Sequence, residues 1–409
     1  MKKLLILGAG NYQLPLILKA KEMGIYTVVI SPDGPYPGLK VADKVYYQDA
    51  RDEKMALEVA AKEQVDGVTT DQGELFVRAV AFVAENMGLP GIGYENSLIF
   101  TNKYLMREKC MEMGIPTIDY MLVNSYEEAL NFFDSLGGDA AIIKPIDSSG
   151  SRGVTKINTA GDLKEHFDDT AGYALQGEVI IERFIEGDEF EVDSIAAGGK
   201  SKMLMCADLE SFDIPNIFAS TTRLYPSVAP EDEVEKLLNL NQKIMDSFGL
   251  KVGLSHSEYM RDRNGQFYLI EAAARGGGTY ISSHIAQLQS GLNTAEFLVK
   301  TALGEISEIP EFKTNQCHCG YVAFYLPQGE VVSVDGIKAV DALPYVEVST
   351  LHLVKMGAVT QAFEDKRNRH AIILKADSRE ELLARIENIK AILNIEIRTA
   401  EGIKGPIWH

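Results

Sequence analysis

The chain has 409 residues, 46% of them hydrophobic and 24% charged, which is the balance of a globular protein too long for one ordinary core. Its 40 Lys and Arg against 59 Asp and Glu leave a net charge of −19. That excludes a general nucleic-acid or anionic-membrane binder but permits a local basic pocket. No apolar run approaches the roughly 20 residues that a membrane helix needs.

At the N-terminus, two lysines and LLIL imitate a secretory leader, but GAGNYQ breaks the apolar run after four residues. A first β-strand and a cytoplasmic location are expected instead. Strand and helix signals then alternate. KLLILGA, YTVVISP, VADKVYYQDARD and VDGVTTDQ read as strands, and LPLILKAKEMG, MALEVAAKEQ and ELFVRAVAFVAENMG as helices. Such repetition predicts a doubly wound parallel sheet over residues 1–98. Its first turn, Gly8 to Gln13, lacks the third glycine of a dinucleotide fingerprint, and no convincing acid ends the second strand. A tight turn before a helix is the default there; a helix N-terminus facing an anion is the alternative.

From Asn96 the texture changes. SLIFTNKYLMREKCMEMG reads as one helix. IPTIDYMLV, AAIIKPI, VTKI and VIIERFI read as strands, with helices at YEEALNFFDSLG and TAGDLKEHFDD. DEFEVDSIAAGGKSKMLMCADLE predicts antiparallel strands around Gly198-Gly199, and PEDEVEKLLNLNQKIMDSFG a long helix with an acidic first turn. KVGLSHSEYMRDRNGQFYLIEA predicts a hairpin turning at Asn264-Gly265. Beyond residue 310 a smaller mixed unit is expected, with strands at CGYVAFYLPQGEVVSVDG, YVEVSTLHLVK and HAIILKADS before the helix REELLARIENIKAILNI. Four cysteines, Cys110, Cys206, Cys317 and Cys319, are too few for a disulfide framework. Cys317-His318-Cys319 does not have the spacing of a structural zinc pair.

Three segments carry chemistry. Lys144-Pro145 precedes Asp147-Ser148-Ser149-Gly150-Ser151-Arg152-Gly153, a loop of hydroxyls and glycines whose backbone N–H groups can face phosphate oxygens. A flexible hairpin is the plain alternative. Glu182 and Arg183 end an apolar strand and are followed by Glu186, Glu189 and Glu191. A backbone leaving a strand can read an adenine edge, and a carboxylate beyond it can take the ribose hydroxyls; a solvated acidic turn is the competing reading. Glu258 and Glu271 fall almost opposite one another across the Asn264-Gly265 turn. Like charges so placed repel, which makes a divalent cation between them the natural remedy, and no opposite charge nearer than Arg275 is evident.

The order of these segments resembles the ATP-grasp family over nearly the whole chain. The resemblance implies an α/β architecture: a pre-ATP-grasp domain (1–98), an ATP-grasp domain (99–310) with a mobile lid (115–181), and a C-terminal α+β unit (311–409). It implies an ATP-dependent carboxylate–amine ligase acting through an acyl phosphate. ATP and Mg²⁺ are the expected cofactors, with Mn²⁺ as an alternative ion, and a small-molecule acid and amine the expected substrates. The family is often dimeric, so a homodimer is expected, with no nucleic-acid or membrane partner. By resemblance, Lys103 and Lys144 bind nucleotide, and Ser148, Ser149, Gly150, Ser151 and Gly153 form the flap over the triphosphate. Glu182 with the backbone of Arg183, Phe184 and Ile185 forms the adenine hinge, and Glu189 takes the ribose. Glu258 and Glu271 hold magnesium, and Arg275 steadies the acyl phosphate. His256 and Arg223 are further catalytic candidates, set against a packed histidine and a surface arginine on a mobile loop. Ala273 stands where the family commonly has a metal-binding Asn, leaving one or two metals open. The rival readings are a nicotinamide-dependent oxidoreductase using the N-terminal turn and an inactive nucleotide-binding protein.

Overall fold

A computed structural model describes residues 1–314, 317–361 and 368–409. Strands β1 (Lys3–Leu7), β2 (Tyr26–Ser31), β3 (Lys44–Tyr47) and β4 (Gly67–Thr69) form a parallel sheet in the order β3-β2-β1-β4, linked by helices α1 (Leu14–Glu22), α2 (Glu53–Glu63) and α3 (Val77–Met87). Alternate residues serve two cores, as a strand with both faces covered requires. Leu5, Leu7, Val28 and Ile30 pack with α2 and α3, while Leu4, Ile6 and Val29 pack with α1 and a helix from far along the chain.

The helix expected over 97–114 is two, α4 (Tyr94–Phe100) and α5 (Lys103–Glu112). Asn102 separates them with extended φ/ψ of −138°/111°, and its side chain accepts the Leu105 N–H at 3.1 Å. A short amide that competes for backbone bonds is better placed at such a cap than inside a helix. The Lys103 N–H donates instead to the Ile146 carbonyl at 2.8 Å, so the break fixes where that lysine emerges.

Next comes a small antiparallel unit: β5 (Tyr120–Val123), α6 (Tyr126–Ser135), β6 (Ala141–Pro145), β7 (Thr155–Ile157), α7 (Ala160–Gly172) and β8 (Val179–Arg183), in sheet order β5-β8-β6-β7. Ser125 caps α6, and a Thr159–Asp162 capping box starts α7. Val123, Ile143, Ile181 and Phe167 give the unit a core of its own.

The remaining elements are β9 (Gly187–Ala197), β10 (Lys200–Ser211), β11 (Ser220–Tyr225), α8 (Glu231–Phe248), β12 (Gly253–Asp262), β13 (Phe267–Ala273), α9 (Ala286–Ser290), α10 (Thr294–Ala302), β14 (His318–Tyr325), β15 (Gly329–Asp335), α11 (Ile337–Asp341), β16 (Val346–Ser349), β17 (Val359–Thr360), β18 (Arg369–Ala376), α12 (Arg379–Ile392), β19 (Asn394–Thr399) and β20 (Gly402–Lys404). Helix α10 is the distant helix that covers β1. One sheet runs β13-β12-β9-β10-β11-β14-β18-β16, so pairing crosses residue 310 without a break. β17-β15-β19-β20 form a separate sheet.

Two strand readings change. STTRLYPS, which carries Arg223, is the strand β11 rather than a loop; five of its six residues are buried, so it shows no polar alternation. YVEVSTLHLVK is strand only to Ser349, after which the chain turns tightly through Leu351–Leu353. Gly320 makes the β11–β14 joint possible, since an added Cβ there would lie 2.0 Å from the Arg223 carbonyl oxygen. Gly320→Ala is therefore expected to cost roughly 1–3 kcal/mol in urea unfolding, the usual range for overpacking. Unchanged stability would mean that the two strands do not pair as closely as described.

Candidate functional site

Asp262 Oδ1 accepts the N–H groups of Asn264 (2.9 Å) and Gln266 (2.8 Å), which closes the β12–β13 turn with Gly265 at φ 79°. That turn sets Glu258 opposite Glu271, as the sequence spacing predicts, and β9 places Glu191 on the other side of Glu258. Three carboxylates thus stand abreast on neighbouring strands. Their cations are nearer than the expected Arg275. Lys103 Nζ lies 2.7 Å from Glu271 Oε1, and Arg223 Nη2 lies 2.6 Å from Glu258 Oε1 while its Nη1 bonds Glu191. Arg275 pairs with Glu74 at 3.3 Å and donates to the Gly276 carbonyl.

These charges shift one another. Burial alone would raise the Glu258 pKa, but Arg223 and His256 outweigh it and hold the carboxyl well below the usual range. Burial lifts Glu191 to about 7 despite Arg223. His256, on the same strand face as Glu258, places Nδ1 3.0 Å from Asp193 and Nε2 2.9 Å from Arg223 Nη1. Burial disfavours a charged ring, yet Glu191 and Asp193 together prevail and raise its pKa to about 10. The Arg223 N–H facing Nε2 suits a neutral ring instead. Glu258 at 3.6 Å and Glu191 at 3.7 Å from Nε2 pull the other way, towards the charged ring.

A second charge cluster lies at the end of β8. Glu182, 1% exposed, is held between Lys144 (2.5 Å) and Arg107 (2.7 Å). Burial would raise its pKa, but Arg107 and then Lys144 bring it down to about 2. The side chain thus serves to fix Lys144. Beyond it, the Arg183 and Phe184 N–H groups donate to the Asp119 and Ala140 carbonyls, whereas among the described residues nothing accepts from the Ile185 N–H. Sequence reasoning missed Arg107, although its spacing of four from Lys103 puts both on one face of α5. Its Nη2 also donates to the Ile270 carbonyl at 2.9 Å, next to Glu271.

The loop after β6 turns through Gly150, Ser151 and Gly153 with φ of 69°, 61° and 71°. The buried Ser148 gives its carbonyl to Lys103 Nζ at 2.6 Å, and Ser151 Oγ donates to the Phe218 carbonyl at 3.0 Å. Between this loop, the end of β8 and the hairpin lies a cavity of about 580 Å³. Of the residues singled out from sequence, Lys103, Lys144, Ser148, Ser151, Glu182, Arg183, Phe184, Ile185, Glu189, Glu258 and Glu271 line it. Ser149, Gly150, Gly153, Arg223, His256 and Arg275 do not. Glu189 accepts from Ser211 Oγ at 3.0 Å.

Hard carboxylate oxygens opposite each other at one cavity wall suit Mg²⁺. Ala273, buried opposite His256, offers no side-chain ligand. Among the described residues, the one group of three potential ligands close enough for a metal is Glu191, Asp193 and His256, already engaged with Arg223 and with each other. Cys317, His318 and Cys319 form no such group. At the N-terminal turn, Gln13 Oε1 accepts the Gly10 N–H and its Nε2 donates to the Asp71 carbonyl. The turn is closed by its own side chain.

Residues 139–283 match the family model described as ATP-grasp domain. The chain carries an ATP-grasp domain. It is 25% identical over 255 residues to the formate-dependent phosphoribosylglycinamide formyltransferase of Aliivibrio fischeri, covering 60% of this chain but only 63% of that protein. It is 26% identical over 331 residues to the alanine–anticapsin ligase of Bacillus subtilis, covering 73% and 69%. The crystal structure of an L-amino acid ligase from Bacillus licheniformis superposes with a TM-score of 0.81 at 20% identity, covering 98% of this chain and 99% of that one. No helix among the described residues is long and apolar enough to cross a membrane.

Glu182 makes stability pH-dependent. A carboxyl whose folded pKa is about 2, against an ordinary 4.5, stabilises fully above 4.5 and loses that contribution as pH falls towards 2. Glu182→Gln leaves Lys144 and Arg107 uncompensated, a loss of roughly 3–5 kcal/mol. Urea unfolding from about pH 6 down to about pH 3 should show the gap between wild type and variant shrinking as acid is added. A constant gap would contradict the assignment.

Proposed function

We propose that the chain is an ATP-dependent carboxylate–amine ligase whose nucleotide lies in the cavity between the 147–154 loop and the β12–β13 hairpin. One observation carries this reading: Glu258 and Glu271 stand opposite each other at a cavity that Lys103 and Lys144 also line, inside a stretch matched by the ATP-grasp model. The division into units 1–98, 99–310 and 311–409 with a lid at 115–181 belongs to this reading, with the last two units sharing one sheet, and the separate core of the lid supports movement as a body. The family likeness also supports a homodimer in a cytoplasmic setting.

Lys144, steadied by Glu182, and Lys103 neutralise phosphate oxygens, and the Ile185 N–H is the free donor for an adenine edge. Glu189 is placed for ribose hydroxyls. Glu258 and Glu271 would hold Mg²⁺, or Mn²⁺, which supplies charge neutralisation on the phosphates. A substrate carboxylate oxygen attacks the γ-phosphorus, and the bond to ADP breaks, giving an acyl phosphate. The amine nitrogen then attacks the acyl carbon, phosphate leaves and the nitrogen gives up a proton, leaving an amide. Arg275 and Arg223 counter charge on the transferred group. His256, held between Asp193 and Arg223, orients the groups around Glu258. The ligases of amino acids among the matches favour an amino acid as one substrate. The closed Gln13 turn disfavours the oxidoreductase alternative.

Two measurements test this. In calorimetry, Lys144→Ala should weaken ATP binding by about tenfold or more, the scale of one charge-assisted contact, while Lys164→Ala on the exposed face of α7 leaves it unchanged. Equal effects would remove Lys144 from the site. Glu258→Gln and Glu271→Gln should each erase the thermal stabilisation that Mg²⁺ with ATP gives and lower turnover by about 10²–10³. Wild-type magnesium dependence in Glu271→Gln would move the metal elsewhere.

A further inference from the structure

Beyond Glu258 the contacts continue through a serine to a second arginine. Arg223 Nε donates to Ser220 Oγ at 2.9 Å, and Arg369 Nη2, from the first residue of β18, donates to the Ser220 carbonyl at 2.6 Å. Two guanidinium groups therefore share one residue. Glu191 and Glu258 meet the charge of Arg223, and Glu74 meets that of Arg275. Arg369 has no such partner: among the described residues it reaches only that carbonyl, the Thr279 hydroxyl at 3.5 Å and the face of Tyr321, 5.2 Å from the ring centre. Its Nε is buried and without a hydrogen bond.

An unmatched guanidinium with a buried idle donor is costly unless something completes it. Thr279 follows residues 276–278, where a Cβ added to Gly278 would meet open space. Tyr12 of the N-terminal turn lies beside both Thr279 and Arg369. The three parts of the chain thus converge on Arg369, next to the segment that holds Arg275. Carboxylate and phosphate are the groups whose geometry matches the guanidinium fork.

We propose that Arg369 binds an anionic group, carboxylate or phosphate, carried by a substrate in addition to its reacting function, so that the C-terminal unit selects the substrate. This rests on the ligase reading above and names the class of molecule it takes: an amino acid or similar small molecule with a second negative charge. Arg369 is a specificity residue, not one that acts on the reacting atoms.

The test is calorimetry on the full chain with two pairs of probes, L-glutamate against L-glutamine and O-phospho-L-serine against L-serine, with ADP and Mg²⁺ titrated separately. Wild type should bind the anionic member of at least one pair about tenfold more tightly, equivalent to about 1.4 kcal/mol. The pair that shows the preference tells carboxylate from phosphate. Arg369→Gln should abolish the preference and Arg369→Lys keep part of it, with both variants melting near wild type. Equal affinities within both pairs, no binding of any probe, or a preference that survives Arg369→Gln would overturn the proposal. A purely structural arginine would instead lower the melting temperature and leave any preference intact. Failure of ADP to bind would sink the ligase reading, while the anion preference stands or falls independently.

Discussion

Three carboxylates in one row across β9, β12 and β13 are the constraint on which this structure turns. Side by side they repel, and hydrophobic burial elsewhere does nothing to relieve it. What relieves it is cations delivered from other elements: Lys103 from the start of α5 to Glu271, and Arg223 from β11 to Glu258 and Glu191. The break between α4 and α5 at Asn102 and the place of β11 in the central sheet are what bring these cations to the acid row. A site so built is compensated by its own cations. Nucleotide phosphates and a divalent cation would exchange partners with groups already in place.

The Glu182 cluster applies the same logic one strand sheet away. Here both cations are buried with the acid, so the carboxyl stays ionised far below its ordinary range and Lys144 is held with little freedom. Arg107 carries this further, because its second contact, to the Ile270 carbonyl, ties the helix that bears Lys103 to the strand that bears Glu271. The lid sheet and the hairpin are linked by one arginine whose sole features in the sequence are charge and a spacing of four.

Much of this was legible beforehand because its signals are local. Strand-helix alternation marked the parallel sheet, Asn264-Gly265 marked the hairpin, and counting outward from that turn placed Glu258 against Glu271 in the register that the structure adopts. What was hidden depends on distant pairing. β11 is buried on both faces, begins at Ser220 and is followed by Pro226, so a surface loop competes in the sequence as the place of Arg223. Arg107 and Glu74 acquire meaning only when α5 and the N-terminal unit pack beside the hairpin. The continuity of the sheet past residue 310 rests on Gly320, one glycine among 35 in the sequence.

The proposed carboxylate activation at the acid row is tested most directly by isotope. With an amino acid labelled with ¹⁸O in its carboxylate, together with an amine, ATP and Mg²⁺, the phosphate released should carry one labelled oxygen, because that oxygen bridges carbon and phosphorus in the acyl phosphate. Unlabelled phosphate accompanying amide formation would mean that the carboxylate never attacks phosphorus, and would contradict the account.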